Sequence, residues 1–314
     1  MAEPFELAVV TGGAGFVGAH LCSALLAAGT EVVAVDNLVT SATGALDSVR
    51  DHPRFRFVEH DVTTPFSLPT MADVVFHLAS AASPRDYLAL PIETLRAGSL
   101  GTEHALDFAR AAGARFVLAS TSEVYGDPAE HPQTESYWGN VNPVGPRSVY
   151  DEAKRYAEAI TVAYRGKHGL NTGIARIFNT YGPGMRPDDG RMIPTFLRQA
   201  SVGEPLTVTG SGEQTRSICY VTDTVRGLVA LAHSDHPGPV NIGNPHELRV
   251  RDLADLIRTI TGSSSTIEYV DAAEDDPQRR CPDISLAREA LGWRPRVAPD
   301  EGIRLTAKWF SRAE

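Results

Sequence analysis

Short, unbroken apolar runs alternate along the first half of the chain with stretches whose apolar residues recur every three or four positions. Leu7-Ala8-Val9-Val10 and Val32-Val33-Ala34-Val35 are the clearest runs, of the length and continuity expected of parallel strands covered on both faces. Further strands are predicted at Phe55–Glu59, Val74–Leu78, Phe116–Ser120 and Thr172–Ile177, with helical periodicity over Phe16–Ala28, Ile92–Ala112 and Val149–His168. Strands alternating with helices predict an α/β fold with a doubly wound parallel sheet. Beyond Phe178 the pattern changes. Pro183, Gly184, Pro187, Asp188, Asp189 and Gly190 mark a long irregular connection, because glycine and proline interrupt both periodicities. Helical patterns resume at Arg191–Ser201, Thr222–Leu231, Val250–Thr261 and Pro299–Phe310. The expected organisation is a first domain over residues 1–178, to which a segment at about 218–242 returns, and a smaller α/β domain mainly over 179–314.

The first strand runs directly into TGGAGFVG. Gly12, Gly15 and Gly18 stand three residues apart, Phe16 and Val17 open the following helix, and the second strand ends at Asp36-Asn37. Strand, glycine turn, helix, strand and acid in this order form the dinucleotide-binding arrangement of a Rossmann-type fold. Gly12 permits the tight turn, Gly15 admits a pyrophosphate close to the backbone, and Gly18 lets helix and strand pack closely. The helix N–H groups then face the phosphates. Asp36 can accept hydrogen bonds from a ribose diol and would repel a 2′-phosphate, so NAD is favoured over NADP. In such a sheet Asp61-Val62 follows the third strand beside the adenine, with Asp61 either contacting the cofactor or capping its loop. Leu78-Ala79-Ser80 leaves the fourth strand along the path of the adenine-side phosphates and ribose.

Two further clusters carry chemistry. In SVYDEAKR, Tyr150 and Lys154 are four residues apart, which places both side chains on one face of a helix. An ammonium beside a phenol is expected to lower its pKa and make it a usable base; alone, a pair at this spacing is usually ordinary helix surface, and the glycine turn and the run STSEVYG favour the functional reading. Ser120-Thr121-Ser122-Glu123 stands at the carboxyl end of the fifth strand, beside the crevice where open α/β sheets bind ligands. Its hydroxyls can bind a substrate oxygen, and Glu123 either handles protons or caps a turn.

Composition narrows the setting. The 314 residues include 29 Lys and Arg against 39 Asp and Glu, a balance of −10, which argues against nucleic acid as a partner. Cys22, Cys219 and Cys281 lie far apart and show no metal-ligand spacing, so no metal is expected and a reducing compartment, the cytoplasm, is. The opening MAEPFELAVV has no basic region or long apolar stretch, so no signal peptide is expected, and no run reaches membrane-spanning length. Tyr87, Trp138, His77 and His131 read as packing or hydrogen-bonded structure.

Taken together, TGGAGFVG, YDEAK and ARIFNTYGP resemble the extended short-chain dehydrogenase/reductase superfamily of nucleotide-sugar enzymes. Within it, ASTSEVYGDPAEHPQTESYWGNVNPVGPRSVYDEAKR, ARIFNTYGPGMRPDDGR, GEPLTVTGSGEQTRS, YVTDTVRGL and PVNIGN resemble the UDP-glucuronate decarboxylase family, a likeness running from Val10 to about Phe310. The resemblance implies NAD-dependent oxidation at the sugar C4, loss of carbon dioxide from C6, and re-reduction to UDP-xylose. It implies Tyr150 as base, Lys154 and Thr121 on the C4 oxygen, and Arg216 with Glu123 near C5. Ser122 stands where related dehydratases carry an acid, which argues against dehydration. Asn179 and Arg191 match positions that hold the UDP part, although Asn179 can equally cap a loop and Arg191 pair with Asp188 or Asp189. The chain departs from the family at Arg85, at Arg96 (a substrate-contacting Lys in the family) and at Ala97-Gly98 (usually Thr-Asn). A homodimer joined through the two long helices is implied, and a 4-epimerase yielding UDP-galacturonate is the alternative activity.

Overall fold

The computed structural model describes residues 3–41, 43–68, 71–271 and 279–311. Six strands follow in chain order: β1 (Leu7–Thr11), β2 (Glu31–Asp36), β3 (Phe55–Glu59), β4 (Val74–His77), β5 (Arg115–Thr121) and β6 (Thr172–Ile177). They join the short strand Val240–Ile242 in one parallel seven-stranded sheet, ordered Val240–Ile242, β6, β5, β4, β1, β2, β3. Each strand turns alternate residues to opposite faces. Ala8 and Val10 of β1 pack with Leu21 and Leu25 of helix α1 (Phe16–Ala27) and with Val225 and Leu228 of helix Val221–Ala232. Val9, Phe116 and Leu118 instead meet Ala105, Leu106 and Ala157 on the other face. Because β1 neighbours both β2 and β4, the chain reverses its direction across the sheet there. That reversal opens a crevice at the strands' carboxyl ends.

The carboxy-terminal part builds a third core of its own. Phe196 and Leu197 of helix Met192–Val202, Leu253 and Ile257 of helix Val250–Thr261, and Ile303 and Phe310 of helix Pro299–Phe310 close around Leu206 and Val208. Strand Thr215–Ser217 lies between Glu247–Arg249, antiparallel, and Arg279–Arg280, parallel. The segment at 218–242 is split between the two parts: helix Val221–Ala232 and strand Val240–Ile242 belong to the large sheet and its core, while Ile218 and Tyr220 pack in the third core.

The long periodic stretch Ile92–Ala112 is not one regular helix. It runs as Pro91–Arg96, a π turn over Ala97–Gly101, and Thr102–Ala112. Close packing accompanies the turn: a Cβ on Gly98 would lie 2.6 Å from the Cβ of Ala153 on helix Ser148–His168. A short helix at Pro84–Ala89, capped by the Ser83 hydroxyl, and another at Ser285–Leu291 were not expected from periodicity, which needs longer stretches to register. Among the described residues, no helix is long and apolar enough to cross a membrane.

Candidate active site

A cavity of about 600 Å³ occupies the crevice. Every cofactor-site residue named from the sequence lines it, as do Arg96, Thr121, Ser122, Glu123, Asn179 and Arg191; Arg216 does not.

At the cofactor end, Gly12 adopts φ +70°, and a Cβ there would come within 2.7 Å of the Ala79 backbone nitrogen. On Gly18 a Cβ would lie 2.1 Å from the Gly12 carbonyl oxygen, so this glycine sets how closely α1 sits on the turn. Helix α1 begins after Gly15 with no side-chain cap on its first N–H groups, which suits a phosphate. Asp36 Oδ2 accepts from Ala14 N at 3.0 Å and Oδ1 from Leu38 N at 2.9 Å, leaving lone pairs for a ribose diol. Burial raises its pKa, opposed by these backbone bonds. Asp61 both lines the cavity and caps its own turn, accepting from Thr63 N at 2.8 Å. These features fit a bound dinucleotide.

At the other end, β5 is buried along its whole length and carries Thr121 to the cavity. The Thr121 hydroxyl accepts from Glu123 N at 3.2 Å, opening the tight turn Ser122–Tyr125. Tyr150 and Lys154 stand one turn apart on helix Ser148–His168, 7% and 5% exposed. Lys154 Nζ donates to the Ala119 carbonyl at 2.9 Å and lies 5.9 Å from the Tyr150 ring centre. Burial lowers the amine to about 8, against the pull of Glu158. Burial also pushes the Tyr150 phenol up, with the Thr121 hydrogen bond opposing and Glu123 reinforcing it. The expected lowering of the phenol by Lys154 is outweighed here by desolvation; the ammonium gives one of its three N–H donors to the Ala119 carbonyl and keeps two. Tyr87 stacks on Tyr150, ring centres 5.3 Å apart and 8° from parallel.

Glu123 is caged. Arg147 Nη2 lies 2.6 Å from its Oε2 and Arg280 Nη2 3.4 Å. Arg280 also donates to the carbonyls of Ser122 and Gly126. Burial works against the charged carboxylate, but the guanidinium charges of Arg280 and Arg147 prevail and hold it at about 2. Glu123 is thus an ion-paired carboxylate, which corrects the idea that it caps an exposed turn. The Ser122 side chain is buried at 1% exposure.

The remaining positions divide. Arg216 donates to its neighbour's Thr215 carbonyl at 2.9 Å, and its charge reaches Glu123 without lining the cavity. Asn179 donates to the Ser217 carbonyl at 3.1 Å, tying a loop while facing the cavity. Arg191 pairs with Asp189 through Nε and Nη2. Arg85 forms an exposed ion pair with Asp188, and neither lines the cavity. Arg96 is exposed on the wall, and Gly98 is explained by Ala153. His77 is buried between the Thr11 and Thr102 hydroxyls, and burial lowers it to about 3, so it is neutral. His131 pairs with Glu247 at 2.9 Å. Trp138 is 89% exposed and packs no core, contrary to its reading as a packed residue.

Sequence reasoning missed Arg147, Arg280 and Asp151. Arg147 lies one helical turn before Tyr150 and was legible in principle. Arg280 sits in a two-residue strand and gives no local signal.

Comparisons with known proteins agree with this geometry. Residues 8–243 match the NAD dependent epimerase/dehydratase family. UDP-glucuronic acid decarboxylase 1 of Xenopus tropicalis is 49% identical over 304 residues, 97% of this chain and 72% of that protein. UDP-glucuronic acid decarboxylase 6 of Arabidopsis thaliana is 48% identical over 303 residues, 96% of this chain and 88% of that protein. Among solved structures, UDP-glucuronic acid 4-epimerase from Bacillus cereus, in complex with UDP-glucuronic acid and NAD, superposes with a TM-score of 0.86 at 28% identity, covering 98% of this chain and all of that one. The chain belongs to the NAD dependent epimerase/dehydratase family, alongside its UDP-glucuronic acid decarboxylases.

Proposed function

We propose that this protein decarboxylates UDP-glucuronate to UDP-xylose with NAD as a recycled cofactor. Bound along the Gly12–Gly18 turn and Asp36, NAD would supply the hydride acceptor for the sugar C4 and the donor for its re-reduction. Tyr150 takes the C4 hydroxyl proton as the phenolate, a form that burial disfavours and that the nearby Lys154 ammonium and the positive nicotinamide of bound NAD would favour. Thr121, within hydrogen-bonding reach of the phenol, shares the C4 oxygen. The resulting ketone is β to the C6 carboxylate, so carbon dioxide departs as its electrons delocalise onto the C4 oxygen. Lys154 and Tyr150 stabilise that developing charge from a buried wall, where fixed donors act most strongly. Glu123 is ionised at rest in its arginine cage, and the buried Ser122 offers no acid for loss of a C6 oxygen. The observation that carries the reading is the convergence of Tyr150, Lys154, Thr121 and caged Glu123 on one wall of a dinucleotide cavity.

The runner-up is 4-epimerisation to UDP-galacturonate, favoured by the structural likeness to an epimerase that binds UDP-glucuronic acid. Incubation with UDP-glucuronate and NAD separates the two: carbon dioxide with UDP-xylose supports decarboxylation, whereas UDP-galacturonate without gas overturns it. A homodimer is part of the proposal. Ile92, Leu95 and Leu100 with Tyr156 and Val162 leave apolar surface exposed on the two long helical segments, and sedimentation gives its size. The three free, buried thiols suit the reducing cytoplasm proposed as its setting.

A further inference from the structure

Decarboxylation consumes a proton. A sugar carboxylate plus H⁺ yields a sugar C5–H bond and carbon dioxide, while Tyr150 returns to the C4 oxygen the proton it removed. The C5 proton therefore has a separate source, and it must reach a buried site. Meeting the main cavity at Glu123 is a second, polar one of about 250 Å³. Its outer walls include Asp127, Asn140 and Asn142, all exposed, and its inner walls Asp151, Arg147 and Arg280. Glu123 lines both cavities.

Asp151 is 6% exposed, and its Oδ1 has no hydrogen-bond partner. An acid in the first turn of a helix ordinarily serves the helix dipole as an exposed carboxylate. A buried one with an idle oxygen does not fit that role. We propose that the second cavity is a proton inlet and that Asp151 supplies the C5 proton through Glu123. In the step, the Asp151 O–H bond breaks as the Glu123 carboxylate takes its proton. Glu123 passes the proton to C5, where the enolate electron pair forms the C–H bond and the C4 carbonyl is restored. Asp151 regains a proton from water entering past Asp127, Asn140 and Asn142. The first hand-off, onto the arginine-held Glu123, is uphill, so the proton rests there only transiently; an enolate carbon is a far stronger base than either carboxylate, and the transfer runs downhill overall. The electrostatics agree: burial and the charge of Glu123 raise Asp151 to about 7, Glu152 adds to this, and Arg147 and Arg280 oppose it. An acid poised near neutrality is best placed to donate at that pH.

This inference rests on the decarboxylase reading, and its test separates the two. Asp151→Asn preserves shape and removes the proton. Below pH 7 it is expected to slow UDP-xylose formation by about a hundredfold, with a larger solvent isotope effect and unchanged NAD affinity. The wild-type rate should fall as pH rises through about 7, and the variant's profile should lose that break. Asp151→Glu should restore part of the rate together with a break. Wild-type rate in Asp151→Asn, a wild-type break in its profile, or an Asp151→Glu no faster than Asn overturns the inference. Should Asp151→Asn not fold, a wild-type profile without a break between pH 6 and 8 overturns it as well. If the wild type releases no carbon dioxide, it is the decarboxylase reading that fails.

Discussion

Tyr150 and Lys154 reach the cavity from one turn of one helix, whereas Glu123 is held by Arg147, 24 residues away, and Arg280, 157 residues away. The first end is local and carries one buried cation; the second is assembled by tertiary contacts from a strand end, a helix start and a distant two-residue strand. Local assembly preserves geometry even if neighbouring packing loosens. Distant assembly couples the charge state of the site to the docking of the carboxy-terminal part. Loss of a residue at the first end should therefore remove chemistry and spare the fold, while loss at the second should damage both.

The largest expected effect is at the first end. Tyr150→Phe should lower kcat by about a thousandfold while NAD affinity, read by calorimetry, stays near wild type. A large loss of thermal stability instead would erase the contrast. At the second end, Arg280→Met strands the Ser122 and Gly126 carbonyls and weakens the Glu123 pair. We expect about 3 kcal/mol of destabilisation in urea unfolding, together with reduced activity; an unchanged unfolding midpoint would show that the cage is not structural.

Gly98→Asn tests the helix contact beside the catalytic pair. The added side chain meets Ala153, one residue before Lys154, and overpacking of this kind costs about 2 kcal/mol. Adding Ala153→Gly should make the double variant more stable than Gly98→Asn alone, because the two residues share one gap. The smallest effect is on acid stability. Glu123 has a depressed pKa in the folded protein, so its contribution is present above the ordinary value of 4.5 and lost as pH falls toward about 2. The Tm difference between wild type and Glu123→Gln should shrink across that range; a constant difference would mean that the ionised cage adds nothing.

Legibility followed the range of the interactions. Helices Val250–Thr261 and Pro299–Phe310 and strands Phe55–Glu59 and Thr172–Ile177 fall where periodicity places them, because each buries its own apolar face. The π turn at Ala97–Gly101 breaks a stretch that periodicity reads as one helix, and the residue that Gly98 packs against, Ala153, lies on another helix. Trp138 was misread because an aromatic residue carries no local mark of whether anything covers it. The direction of the Tyr150 shift was misjudged for a related reason. Spacing reveals that Lys154 is near, but not that burial outweighs it or that its ammonium is bonded to Ala119.

The order of strand, glycine turn, helix and acid, and the Tyr150–Lys154 spacing, are consequences of covalent neighbourhood, since a turn and a helix repeat within a few residues. These alone determined the cofactor half and its Tyr150–Lys154 wall. The ionised state of Glu123, the idle carboxyl of Asp151 and the second cavity they share were decided by the tertiary structure. Coulomb forces and desolvation depend on distances in space, and segments far apart along the chain set those distances.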